Sequence, residues 1–274
     1  MSALGLAAGL LSAVVFGVAA VIQAHTVRRY ASSPDRLVGF VARGVRDLQM
    51  IVVLVAYLVG FVLHAVAIWL LPLYLAQALV AMSLPVASLA AIRVDHSLSL
   101  GRWTAIAAVS LGLVLLALGS GEAGPPISTG RFAGILWVGV LLLAAASLHA
   151  RRYAGAWLGL LAGLGYAGSA IAVRGVDLPL DAAVVWAALA IPSFGLVAFW
   201  LYSLGMRRST VSTTTASLIV AQTFVPAAVG VALLGDGVRS GWWPAVIFGL
   251  LISTGGALAL RTASTRGSEV ALGW

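Results

Sequence analysis

LQMIVVLVAYLVGFVLHAVAIWLLPLYLAQALVAMSLPVASLAAI, residues 48 to 92, contains no Asp, Glu, Lys or Arg. A bilayer core of ~30 Å is crossed by about 20 apolar residues in a helix. The stretch is long enough for two crossings, and Leu71-Pro72 punctuates it near the middle. It therefore reads as two membrane helices joined by a tight turn. Apolar and polar residues do not alternate along it, which excludes long β-strands.

The rest of the chain has the same character. Of its 274 residues, 62% are hydrophobic and 9% charged, and the mean hydropathy is +1.08. A soluble domain cannot bury that much apolar surface, so lipid must cover much of it. Nine stretches are long and apolar enough to span: Ala3–Gln23, Leu48–Leu70, Pro72–Ile92, Trp103–Leu118, Phe132–His149, Ala154–Val173, Ala182–Leu204, Val211–Leu234 and Trp243–Leu260. They are spans 1 to 9. The first lacks a charged leader and is expected to remain as a span rather than be cleaved. With no cysteine, disulfides and thiolate metal sites are excluded. The net charge of +8 does not imply nucleic acid, because the basic residues are scattered between apolar runs. All sixteen are Arg, and with the abundant Ala, Gly, Val and Leu this suggests a GC-rich bacterial genome.

The arginines set an expected orientation. Thirteen (28, 29, 36, 43, 46, 93, 102, 151, 152, 207, 208, 261 and 266) fall on one side of a nine-span layout, and Arg131, Arg174 and Arg239 on the other. The positive-inside rule places the larger set in the cytoplasm, with the N-terminus outside and the C-terminus inside an inner membrane. In the first cytoplasmic loop, Ser33-Pro34-Asp35 reads as a helix start. Leu37, Phe40, Val41, Val45 and Leu48 then recur at helical spacing. Residues 33–47 form either an amphipathic helix on the inner leaflet or a cytoplasmic extension of span 2.

An internal repeat is visible. Span 1 carries Gly5, Gly9, Ala13 and Gly17, and span 6 carries Gly155, Gly159, Gly163 and Ala167, at a constant offset of 150. Small residues four apart make a groove in which another helix approaches closely. Pro85 precedes Asp95 by ten residues, as Pro226 precedes Asp236, and Trp103 and Trp243 follow. The expected fold is all-α, with a first four-helix repeat over residues 1–119, a linker helix in 120–152, an inverted second repeat over 153–261 and a cytoplasmic tail from 262 to 274. Inverted repeats are a common transporter architecture, since two such halves can exchange inward-open and outward-open shapes.

The Gly/Ala-rich span 1, Pro85 with Asp95, and AQTFVPAAVGVALLGDGVRSGWWPAVIFGLLISTGGALAL from Ala221 to Leu260 carry a family resemblance. The chain resembles the drug/metabolite transporter superfamily. Its halves look like the four-helix small multidrug resistance proteins, and its layout is similar to the EamA-like and NIPA-type branch. That resemblance implies a transporter fold more firmly than a substrate. The small multidrug resistance proteins carry a membrane-embedded Glu in their first helix, whereas no Asp or Glu lies inside any span here. Carboxylate-driven export of cationic drugs and magnesium transport are not expected, since a hard cation wants several oxygen ligands, usually including carboxylates.

Polar groups inside a span must be satisfied by neighbours or by water in a cavity. His64 and Gln77 are equidistant from the Leu71-Pro72 turn, both roughly 10 Å deep. They either line a cavity or bond to each other and lock the hairpin. Gln222 and Thr223 lie near the middle of span 8, and Tyr166 and Ser169 in span 6. All six are candidate substrate-binding residues, weighed against interhelical hydrogen bonding. Gly5, Gly9, Gly17, Gly155, Gly159 and Gly163 are packing residues. The Ser/Thr-rich segment Ser209–Ser217 reads as a helix start, and Pro85, Pro192 and Pro226 as kinks. Asp95 and Asp236 are expected at solvated helix ends, paired with Arg93 and Arg239. His64, with an ordinary pKa of ~6.5, is left as a route for proton coupling.

The chain contains no HExxH, nucleophile-elbow or Walker A motif, and its four His (25, 64, 96 and 149) are dispersed. No enzyme activity, cofactor or bound metal is expected. The expected function is transport of a small neutral, zwitterionic or lipid-like solute. The alternative is a membrane subunit that stabilises a partner protein or a second copy of itself and transports nothing.

Overall fold

The computed structural model describes residues 2–28, 37–91, 100–209 and 211–271. The helices are α1 (Ala3–Arg28), α2 (Leu37–Gly44), α3 (Leu48–Leu70), α4 (Leu73–Ala81), α5 (Ser83–Ala91), α6 (Leu100–Leu118), α7 (Gly130–Ser147), α8 (Gly155–Val173), α9 (Ala182–Arg208), α10 (Val211–Leu233) and α11 (Trp243–Ala271). Among the described residues the one β feature is an antiparallel bridge between Ser120 and Val238. Among the described residues, five helices are long and apolar enough to cross a membrane: α1 over Ala3–Val27, α3, α7, α8 and α9. The chain is an all-helical membrane protein.

Local chemistry explains the boundaries. Asp47 caps α3, its Oδ1 accepting from the Gln49 and Met50 amides at 2.9 and 3.4 Å. This cap makes α2 a separate helix and not an extension of α3. The proposed start at Ser33-Pro34-Asp35 lies outside the described residues. On α2, Phe40 is buried and Val38 is exposed, so one face of the helix packs against the rest of the protein. Thr129 and Asp181 cap α7 and α9 in the same way as Asp47, accepting from Phe132 and Val184.

One expectation needs correction. Span 3 is not one kinked helix but two, α4 and α5, broken at Met82. Pro85 has no N–H to give the Ala81 carbonyl, and that missing bond falls at the break. The helix of the linker 120–152, expected over Phe132–His149, runs over Gly130–Ser147. Before it, residues 119–129 run across one end of the molecule, where the Gly121 amide donates to Gly237 and the Gly237 amide to Glu122. Residues 262–271, expected in a tail, continue α11.

α1 lies against α3 and against α4 and α5, while α8 lies against α9 and α10. α6 pairs with α11, and α4 meets α10. The small residues make the closest approaches. A Cβ on Gly9 would lie 2.5 Å from the Leu79 side chain, and one on Gly5 would lie 2.9 Å from Leu71. One on Gly17 would sit 2.7 Å from the Ser83 carbonyl oxygen. On α8, Cβ atoms at Gly159 and Gly163 would overlap the carbonyl oxygens of Thr214 and Leu218 on α10, and at Gly155 the Ser209 side chain.

Candidate functional site

One end of the molecule is closed by a buried ion pair. α10 ends at Leu233, and Gly235 at φ +74° turns the chain back so that the Asp236 amide donates to the Gly230 carbonyl at 3.0 Å. That conformation is open to glycine without strain. Asp236 thereby lies over the end of its own helix. Its Oδ2 accepts from the Leu73 amide at 2.6 Å, at the start of α4. That amide has no partner in its own helix, and Pro72 offers no side-chain cap. Oδ1 accepts from the Gly124 amide and from Arg174 Nη2, both at 2.8 Å. Arg174 also donates to the Gly124 and Leu71 carbonyls at 2.6 and 3.2 Å.

Asp236 is thus neither solvated nor paired with Arg239, as the sequence suggested. Its side chain is fully buried and that of Arg174 is 3% exposed, whereas Arg239 is exposed and its side chain donates to the Leu118 carbonyl at 3.5 Å. Arg239 is the neighbour in sequence, but the turn at Gly235 aims the carboxylate inward, toward the end of α8. Burial lowers the pKa of Arg174 and the Asp236 charge opposes that shift; the guanidinium stays charged. Asp95 and Arg93 lie outside the described residues.

Deeper in, Gln77 and His64 meet, with Nε2 of each 3.0 Å apart. An amide nitrogen only donates, so His64 Nε2 accepts and Nδ1 carries the ring proton. His64 Nδ1 and Gln77 Oε1 are both buried and have no partner. The pair therefore locks the hairpin and still presents one unmet donor and one unmet acceptor. Tyr166 on α8 has a buried hydroxyl, also without a partner.

Toward the opposite end a polar chain ties α3, α1 and α9 together. Tyr57 Oη donates to Gln23 Oε1, and Gln23 Nε2 to Ser203 Oγ, each at 2.7 Å. Aromatic rings extend the contact: Phe199 lies 5.5 Å from Tyr57 and 5.9 Å from Phe40 of α2, and Phe16 lies 5.6 Å from Tyr57. Tyr202 and Thr215 share a 2.6 Å hydrogen bond between α9 and α10. The sequence reading missed all of this chain. Gln23 ends an apolar run, and nothing local pairs it with a serine 180 residues away.

The remaining candidates divide. Ser169 donates to the Ile191 carbonyl at 3.0 Å, which ties α8 to α9 beside Pro192. Gln222 and Thr223 are buried in α10 at 8% and 2% exposure and make no side-chain hydrogen bond among the described residues. Among the described residues, His64, Gln77, Tyr166 and Thr254 each have a buried side-chain polar atom without a hydrogen-bond partner. Comparison with protein-family models, with curated proteins and with solved structures returned no match.

Proposed function

We propose that the chain is a multi-pass transporter of the drug/metabolite type, in a bacterial inner membrane, that moves a small neutral, zwitterionic or lipid-like solute by alternating access. In this reading nine spans form two inverted four-helix repeats joined by α7. The α1, α3, α4–α5 and α6 set corresponds to α8, α9, α10 and α11. The matched packing of α1 and α8 against their neighbours supports that correspondence. The observation that carries the reading is the set of unpartnered polar atoms at His64, Gln77 and Tyr166. A buried donor or acceptor left unmet costs about 1–3 kcal/mol. A solute that meets them offsets that cost. The two ends are held by the Asp236–Arg174 pair and by the Gln23–Tyr57–Ser203 chain, which serve as the two gates.

The test is uptake of neutral and zwitterionic solutes by the purified chain in liposomes, comparing Gln77→Leu and Tyr166→Phe with the parent. Each variant removes about 1–3 kcal/mol of solute contact, a loss of about fivefold to 150-fold in apparent affinity. Unchanged uptake in both well-folded variants would move the site elsewhere. Liposomes that take up none of the solutes would favour the partner-subunit alternative.

The orientation has its own test. The Arg distribution places the N-terminus outside and the C-terminus in the cytoplasm. A C-terminal fusion to a periplasm-dependent reporter is expected to be inactive, and an active one would overturn the assignment.

A further inference from the structure

Residues 120–127 cross the Asp236 end of the molecule as a strap between α6 and α7. Of these residues only Gly124 is buried, and it has no side chain. Ile127, at the α7 end, is partly buried against the core. The strap is held in the main by hydrogen bonds. Ser120 bridges Val238. The Gly121 amide donates to the Gly237 carbonyl at 3.2 Å, the Gly237 amide to Glu122 at 2.9 Å, and the Ile127 amide to the Arg174 carbonyl at 2.8 Å. Gly124 is the tightest point. Its amide donates to Asp236 and its carbonyl accepts from Arg174, and a Cβ there would overlap the Leu234 carbonyl oxygen. Pro125 and Pro126 bring no N–H to the positions that follow. A cavity of about 430 Å³ has Gly124 and Pro126 in its wall, so the strap is not packed solid on that side.

We infer that residues 120–127 are a lid, latched at Gly124, that opens and closes this end of the molecule. Segments with few buried apolar contacts open most readily, and they open as cooperative units. The helix start below the strap is different: Leu71, Leu73 and Leu75 are fully buried, so lifting the strap disturbs the least apolar packing. Against the strap lies Tyr74, 1% exposed. Its hydroxyl is 3.2 Å from the Gly237 carbonyl oxygen and 3.5 Å from that of Gly119. Gln77 follows three residues later on α4, at neighbouring helical spacing, and meets His64. Strap, Tyr74, Gln77 and His64 thus form one line from the end of the molecule to its interior. The lid supplies the moving part of the gate at this end; its purpose rests on the transporter reading, and its motion does not.

The experiment follows hydrogen exchange, residue by residue, on the full chain in nanodiscs. The Gly121, Gly124, Ile127 and Gly237 amides are expected to exchange at one common rate, faster than the amides of α8. The chain has no cysteine, so Ser120→Cys with Val238→Cys gives a single disulfide, across an antiparallel pair whose spacing suits one. Oxidation is expected to slow all four amides roughly tenfold or more, and reduction to restore them. Gly124→Ala, which cannot seat beside Leu234, is expected to speed them by a similar factor and to leave α8 unchanged. A Tyr74→Cys reporter reads the space beneath, and is expected to react with a water-soluble methanethiosulfonate roughly tenfold faster when combined with Gly124→Ala. The disulfide comparison does not depend on Gly124→Ala folding. Unrelated rates for the four amides in the parent, rates that oxidation leaves unchanged, or Tyr74→Cys labelling that Gly124→Ala does not speed, overturn the inference. No readout needs a transported solute, so a chain that takes up nothing in liposomes loses the transporter reading and keeps the lid.

Discussion

Asp236→Ala is expected to cost about 3–5 kcal/mol of stability, because it leaves the Arg174 guanidinium buried with its charge unpaired. The loss extends beyond the ion pair. The Leu73 and Gly124 amides lose their acceptor at the same time, and the turn after α3 and the segment before α7 are both held through that carboxylate. Asp236→Asn keeps one acceptor oxygen but loses the charge, so it falls between the parent and Asp236→Ala. Removing both charges, as Asp236→Ala with Arg174→Met, recovers the part of the loss due to the unpaired guanidinium but not the part due to the Leu73 and Gly124 amides. Arg239→Ala, at the exposed neighbour in sequence, is expected to change stability by no more than about 0.5 kcal/mol. Thermal unfolding of the purified variants in detergent compares them. Arg239→Ala as damaging as Asp236→Ala would show that the pair at this end is the wrong one. An uptake defect in an Asp236 variant is therefore not evidence of proton coupling through a carboxylate unless the variant folds as the parent does.

The helices were legible because each is written locally. The apolar length of residues 48–92, the turn at Leu71-Pro72 and the glycine rows at fixed spacing depend on neighbours in sequence. The meeting of His64 and Gln77 was legible for the same reason, since a short hairpin brings equidistant residues to one depth. The contacts that close the two ends were not legible. Arg174 and Asp236 are separated by 62 positions and Gln23 and Ser203 by 180, and their pairing follows from how whole helices lie against each other. The break at Met82 lay between these cases. Pro85 announced a disturbance, but a proline disturbs the turn before itself, and whether that turn kinks or breaks depends on what α1, α6 and α10 pack against it.

The two glycine rows look alike in sequence, and the structure separates them. Gly163→Val is expected to destabilise by more than the ~1–3 kcal/mol typical of overpacking. Its Cβ meets the Leu218 carbonyl oxygen and lies 2.9 Å from Ala221 Cβ, and a helix backbone cannot swing aside as a side chain does. Gly159→Val meets the Thr214 carbonyl in the same way, so α8 cannot lie along α10 in either variant. Gly9→Ala on α1 is milder, because its Cβ meets Leu79 Cδ1 at 2.5 Å, the far end of a side chain that has other rotamers. Gly134→Ala on α7 meets nothing within 4 Å, and there the better helix propensity of Ala is worth up to about 1 kcal/mol. The expected order of melting temperature is Gly134→Ala at or above the parent, Gly9→Ala below it, and Gly159→Val and Gly163→Val lowest. A Gly163→Val protein as stable as Gly134→Ala would mean that α8 does not rest on α10 through this row. The rows differ position by position. At Gly159 and Gly163 the α8–α10 seam is backbone against backbone, and on α1 Gly17 meets the Ser83 carbonyl oxygen in the same way, whereas Gly9 meets the side chain of Leu79. The softest point of the two seams is therefore the Gly9–Leu79 contact, and Gly17→Val on α1 is expected to cost as much as Gly159→Val, which melting temperatures of the two variants compare.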